Sequence, residues 1–379
     1  MAQLRPLFFC LYLFVFVPAS VRSADLSPYL DPETIAVIKV NVKQLKLPEI
    51  VKYYETAFLK AINEVVPGND PAAPLLKQLI RETALMAPPE MYEDMIVGYK
   101  LEEIYAIVYR DAIMRQTYPV LLAIPVPEGA SQDQIDLIRM LYLHWQIPVT
   151  FVRHGFIVGI PVLEQFAGQQ QVMAFAREKF REPSSRSRPE IVAALDSQPD
   201  AAFQVVVGRI DQFQRDVETQ LNTLKMLLLT MPGEQQEELN QALKMVPVIF
   251  QNLNSLSFSY DYDKPEIKQV IQLRDEQTAR TVLTMTLEQR KKAEEMLAQV
   301  PIVSHVLAIN AQNPGMTREG LAATKELLQA VQIRQQGNDV VTLLDPSGMT
   351  RLESLVYEMV IKSAVAGMHA GFNIGARMR

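Results

Sequence analysis

Two stretches decide how this chain is read. They are Ile35-Ala36-Val37-Ile38-Lys39-Val40-Asn41-Val42-Lys43-Gln44-Leu45 and Phe203-Gln204-Val205-Val206-Val207-Gly208-Arg209-Ile210-Asp211-Gln212-Phe213. Each is a run rich in β-branched residues that fits a buried strand, and each opens one half of the chain. After each comes a long helical stretch, then two strands, a helix, and a last strand ending in proline. The reading is an α+β protein made of two divergent copies of a β-αα-β-β-α-β unit. That order implies antiparallel sheets with helices packed on one face.

In the first copy Pro48-Glu49 starts a helix, with proline tolerated in the first turn. Ile50, Tyr53, Tyr54, Ala57, Phe58, Ala61, Ile62 and Val65 recur at helical spacing. Pro67-Gly68-Asn69-Asp70-Pro71 ends it, and a second helix carries Leu75, Leu76, Leu79 and Ile80. Strands are expected at 103–109 and 118–125, then a helix capped by Ser131. The unit closes with strands 149–153 and 156–160 around a His154-Gly155 turn. In the second copy a helix carrying Val217, Leu221 and Leu224 stops at Pro232-Gly233, and its partner carries Leu239 to Leu253. Strands 256–262 and 267–273, a helix over 277–298 and a strand over 339–344 complete it. An insertion is read over about 300–331. The domain reading is a signal peptide over 1–23, the first unit over 24–180, a linker over 181–199, the second unit over 200–346, and a C-terminal helix and tail over 347–379.

The N-terminus has the three parts of an export signal: Arg5, an apolar run from Leu7 to Val17, and a cleavage site after Ser23. The run is about half of the roughly 20 residues that span a bilayer, so a cleaved signal and a soluble mature chain are expected. The single cysteine, Cys10, lies in that run. The mature chain is then cysteine-free, and disulfides are excluded in a compartment that permits them. Removing Arg5 and Arg22 takes the formal charge from −6 to −8. That charge argues against nucleic acid, which needs a concentrated basic face. The one basic cluster, Arg177, Lys179, Arg181, Arg186 and Arg188, is broken by Glu178 and Glu182 and reads as a solvated helix end and linker. The lack of an Asn-x-Ser/Thr sequon fits a bacterial envelope.

The mature start, Leu30-Asp31-Pro32-Glu33-Thr34-Ile35-Ala36-Val37, resembles large groups of uncharacterised secreted proteins of planctomycete-type bacteria. The likeness covers the N-terminal element and the general plan. It implies export and α+β architecture. It carries no active-site motif.

Catalytic signals are sparse. His144, His154, His305 and His369 have no metal-ligand spacing, and no metal or cofactor is expected. There is no Gly-x-Ser-x-Gly elbow and no glycine-rich phosphate loop. Asp261 and Asp263 flank Tyr262 at a strand end. Alternation would put both on one face, as an acid/base pair or calcium site, while a turn at Asp263-Lys264-Pro265 explains them more simply. Met226, Met231, Met245, Met285 and Met296 lie on Leu-rich helices. Such residues fill cores and also line adaptable apolar sites, with core packing preferred. The helix 349–366 carries a stripe of Leu352, Leu355, Val356, Met359 and Val360, with mixed charges opposite. That stripe is expected to dock on protein, in its own chain or a partner, rather than on a membrane. The leading expectation is an exported, non-enzymatic scaffold or binding protein of the bacterial envelope. A hydrolase using acids near Asp261 and Asp263, and an apolar-ligand or lipid binder using the Met/Leu-rich layer, stand as alternatives.

Overall fold

Strand β1, Thr34–Asn41, is hydrogen-bonded on both edges, to β2 (Glu103–Tyr109) on one side and β6 (Phe203–Val207) on the other. This seam, with Val37 opposite Val206, joins the two halves into one sheet. A computed structural model describes residues 26, 29–85, 102–110, 120–126, 129–144, 149–153, 155–160, 174–175, 177–179, 188–209, 249–302 and 316–377. The signal segment 1–23, Met226, Met231, Met245, His154 and His305 lie outside them. So do the helix expected around Val217 to Leu224 and most of its partner.

The remaining strands are β3 (Leu121–Pro125), β4 (Val149–Arg153), β5 (Phe156–Ile160), β7 (Leu253–Asp261), β8 (Glu266–Leu273), β9 (Gln332–Gln336) and β10 (Asp339–Leu344). All ten form one antiparallel sheet ordered β4-β5-β3-β2-β1-β6-β7-β8-β10-β9. Two separate sheets were expected, and the β1–β6 ladder corrects that. Outward from the seam, the first half runs β1, β2, β3, β5, β4 and the second runs β6, β7, β8, β10, β9. Each half ends in a hairpin. Gly155 and Gly337 sit in the two turns with φ of 79° and 61°, a region that favours glycine. Strand β9 was not foreseen. Its Gln-Ile-Arg-Gln-Gln sequence is polar because it forms the outer edge of the sheet. Leu253, read as helical, starts β7 instead.

Helices cover both faces, against the expectation of one. On the first face, Val37, Ile107, Ala123, Val158 and Val206 pack under α4 (Pro189–Asp196), through Ile191 and Leu195. On the opposite face, Val40, Ile104, Leu122, Ile124 and Ile157 take α3 (Gln132–His144), through Ile138. Farther along that second face, Leu273 and Val340 take α5 (Glu276–Leu297), through Ala279 and Val282. The physical reason is in β3, where Leu121 to Ile124 are buried without a break. A continuous apolar strand must be covered on both sides. Residues 189–196, expected to belong to a linker, are the helix α4 itself. Within the expected insertion lies α6 (Arg318–Ala330), whose first turn is capped by Thr317 accepting from Gly320 N–H at 3.1 Å.

A third layer is built from α1 (Leu47–Val65) and α2 (Ala72–Leu85) with the C-terminal helix. That helix starts as α7 (Pro346–Val356), capped by Asp345, passes through one π turn at Tyr357–Ile361, and continues as α8 (Lys362–Arg377). Ala57, Ala61, Ile62, Val66 and Leu76 pack against Tyr357, Ile361 and Val365. The C-terminal helix therefore docks within its own chain, on helices of the first half. The π turn shifts the helical phase. The buried stripe then falls on Tyr357, Ile361 and Val365, while Val360, expected in it, is 59% exposed. Met296, expected in the core, is likewise exposed at the far end of α5.

Candidate binding cleft

Four tyrosines gather where α1, the β7–β8 hairpin and α7 meet. Tyr53 and Tyr54 lie side by side on α1, with ring centroids 5.4 Å apart in an edge-to-face pair. Tyr260, near the end of β7, and Tyr262, just beyond it, form a second edge-to-face pair at 6.0 Å. Such geometry is the preferred one for aromatic pairs. The hairpin is tied to the start of α1 at three points. The Tyr262 hydroxyl donates to Glu49 Oε2 at 3.4 Å. Lys46 Nζ pairs with Asp263 Oδ1 at 3.2 Å and lies over the Tyr262 ring, 5.3 Å from its centroid. Glu49 and Tyr53 are one helical turn apart, so this tether brings Tyr260 and Tyr262 to the Tyr53 side of α1.

Glu353 of α7 approaches from the third side. The packing of α7 and α8 along α1 is parallel, because Lys362 pairs with Glu64 at 2.8 Å and His369 with Asp70 at 2.7 Å. Tyr357 packs in the same cluster as Ala57. One turn earlier on each helix stand Glu353 and Tyr53. Tyr53 and Tyr54 are 39% and 37% exposed, so their rings are open to solvent at this junction. The strip continues along the sheet as Phe258, which is half open and makes an edge contact with Phe203 at 6.4 Å.

The phenols of all four tyrosines are held above the ordinary value of 10. Burial is the first cause at each. For Tyr53, Tyr54 and Tyr260 the Glu353 carboxylate is the second. For Tyr262, pushed up to about 12, the Glu49 carboxylate comes second, followed by Tyr260 and Glu353. A phenol with a raised pKa is a poor general base, because its tyrosinate is scarcely populated near neutral pH. The cleft thus offers neutral aromatic faces, hydroxyls and the carboxylates of Glu49 and Glu353. That set is suited to binding.

The structure places Asp261 and Asp263 in a turn. Asp261 Oδ1 accepts from the N–H groups of Asp263 at 2.9 Å and Lys264 at 3.1 Å. Asp263 is engaged by Lys46. Strand β7 stops at Asp261, so the alternation that would align both carboxylates does not reach Asp263. Among the described residues, no three His, Cys, Asp or Glu side chains converge as a metal-ligand group. His369 is engaged by Asp70 on the C-terminal helix. In the basic cluster, Lys179 is not solvated: it pairs with Asp31 at 2.5 Å and lies over the Tyr109 ring. Arg188 is buried.

Sequence reasoning missed the cleft. Tyr53 and Tyr54 were placed on the apolar stripe of their helix, and Tyr260 in a strand. The available signal was the recurrence of closely spaced tyrosines, at 53 and 54 and again at 260 and 262.

No family model matches the chain, and no curated protein matches it. Among solved structures, the chain is similar to crystal forms I and III of TP0453. The TM-scores are 0.30 and 0.29, with 8% and 9% identity, covering 90% and 89% of this chain and 98% of each of those.

Proposed function

We propose that this chain is a non-enzymatic binding protein of the bacterial envelope space, exported by its N-terminal segment and working through the tyrosine cleft. The observation that carries the reading is the half-open cluster of Tyr53, Tyr54 and Tyr260. Two elements far apart in sequence, α1 and β7, supply its rings, and a third, α7, supplies Glu353. Large aromatic rings left open at a junction of elements favour ligand contact. The export signal, the cysteine-free mature sequence and the resemblance of Leu30–Val37 to secreted planctomycete-type proteins support the location. The two halves, near 24–180 and 200–346, are read as descendants of one duplicated unit. The common strand order outward from the seam and the paired hairpin glycines support that ancestry.

The test is a ligand-observed NMR screen of small aromatic, sugar and amine fragments against the exported chain. Binders are expected to lose contact with a Tyr54→Leu/Tyr260→Leu variant whose melting curve stays near that of the parent. Fragments that bind the variant equally well would move the working surface elsewhere. Sequencing the N-terminus of the exported chain is expected to begin at Ala24.

A further inference from the structure

Tyrosine, carboxylate and ammonium recur together along the junction of α1 with the C-terminal helix. At the hairpin tether, Lys46 stacks on Tyr262 beside Asp263. One turn below the cleft, Lys60 and Lys362 lie over the Tyr357 ring, 4.4 and 5.2 Å from its centroid. Glu64 and Glu358 pair with Lys362 there at 2.8 and 2.9 Å. In both places the chain supplies its own cation to an aromatic face with an acid alongside, a recognised attractive geometry.

At Tyr53, Tyr54 and Tyr260 the rings and the acid, Glu353, are present without the cation. Among the described residues, no lysine, arginine or histidine forms an ion pair with Glu353. The nearest basic residue in sequence, Arg351, is taken by Glu326. Glu353 is exposed, and two of the rings are more than a third open, so the position is reachable from solvent.

We propose that this position binds an organic cation of the quaternary ammonium class, as carried by choline and by choline-bearing headgroups. The rings of Tyr53, Tyr54 and Tyr260 would take the methyl groups, and Glu353 the charge. A hydrated metal ion fits less well, because it demands several converging oxygen ligands, and among the described residues no three acidic, histidine or cysteine side chains converge as a metal-ligand group. A quaternary ammonium has no N–H to satisfy and sheds water readily, so aromatic faces and one acid suffice. The inference rests on reading the cleft as the binding surface.

The experiment titrates the full exported chain with choline and tetramethylammonium, following the tyrosine ring signals by NMR. A neutral isostere, 3,3-dimethylbutan-1-ol, is titrated in parallel. Saturable binding of both cations is expected, with the isostere at least about tenfold weaker. Glu353→Gln should weaken the cations by about tenfold and leave the isostere unchanged. Tyr54→Phe should keep binding, and Tyr54→Leu should lose it, because the ring face and not the hydroxyl makes the contact. Phosphatidylcholine and phosphatidylglycerol vesicles then identify the source. Sedimentation with the former alone assigns a lipid headgroup, and binding of free choline without sedimentation assigns a soluble ligand. Equal binding of cation and isostere would overturn the cation while keeping the cleft as an apolar site. Absence of any saturable binding at the tyrosines would overturn the proposal. Binding that Glu353→Gln leaves untouched would overturn it as well.

Discussion

Arg188 shows how much of this fold depends on single side chains. Its guanidinium is buried at the seam and donates to the carbonyl oxygens of Pro32 at 3.0 Å, Thr34 at 2.8 Å and Arg209 at 2.6 Å, and to Glu190 Oε1 at 2.6 Å. The planar fork of arginine suits several acceptors at once, which lysine does not match. It thereby ties the entry of β1, the exit of β6 and the start of α4. Arg188→Met should cost about 3 kcal/mol in urea unfolding, since buried acceptors and Glu190 lose their partner. Gly208 follows β6 because the space above it is taken. A Cβ there would stand 2.6 Å from Arg188 Nη2 and 2.7 Å from Ile191 Cγ1. Gly208→Ala should therefore destabilise by about 1–3 kcal/mol. The two substitutions should fall short of additive, because both act on one contact. A sum within error of the two single effects would separate the sites. From the sequence, Arg188 reads as one more charge in a charged segment. Burial of a charge depends on acceptors brought from far away, here residues 32, 34 and 209, which no local pattern encodes.

The C-terminal helix makes the same point for an element. Its existence and apolar character were legible from Leu352, Leu355 and Val356, but it was read over 349–366 and runs from Pro346 to Arg377. Its buried phase was not legible, because one π turn after Val356 breaks the 3.6-residue period on which such a reading depends. The consequence is testable with two neighbours. Ile361→Ala should cost about 2–5 kcal/mol, as for other fully buried aliphatic side chains. Val360→Ala should stay within about 0.5 kcal/mol, as for open surface positions. The reverse order in urea melts would restore a regular α-helical phase. Strand β9 was overlooked for a related reason. An edge strand alternates weakly, and its glutamines carry no hydrophobic signal. The tyrosine cleft was hidden by the opposite effect: Tyr53 and Tyr54 fit the helical stripe well, and only the arrival of β7 and α7 leaves their rings part open.

For the whole molecule, the decisive arrangement is that the end of the chain closes on its beginning. Helices α7 and α8 follow the last strand of the second half, yet they cover Ala57, Ala61, Ile62 and Leu76 of the first. The β4–β5 and β7–β8 hairpins followed from local patterns, whereas the β1–β6 seam and this closure are contacts between residues well over a hundred positions apart. The closure is laced by charge, and its pH dependence follows. Asp70 is held below its ordinary 3.8, first by the Ala72 N–H and then by His369. At Glu64 burial works against ionisation, but Lys362 outweighs it and holds the carboxyl below its ordinary 4.5. At Lys362 burial opposes the charge, and Glu64 and Glu358 outweigh that, raising it above 10.5. Burial and the Glu64 carboxylate also raise the Tyr357 phenol above 10. For the two lowered carboxyls, the native state binds fewer protons than the unfolded chain on the acid side. Their stabilisation is present above 4.5 and is lost as pH falls through the depressed native values. For Lys362 and Tyr357 the native state holds its protons longer. Their stabilisation is present below about 10 and is lost as pH rises through the raised values. Urea midpoints should therefore fall on both the acid and the alkaline side. Glu64→Gln should lower the midpoint near neutral pH and flatten part of the acid fall. Lys362→Met should flatten the alkaline fall. Truncation after Pro346 should remove both Lys362 and Tyr357, and with them a part of the alkaline loss, the raised phenols of α1 and the β7–β8 hairpin keeping the rest, while baring the apolar faces of α1 and α2 to a hydrophobic dye. An alkaline fall left undiminished by the truncation would place the responsible groups outside the C-terminal helix, at phenols such as those of Tyr54 and Tyr262.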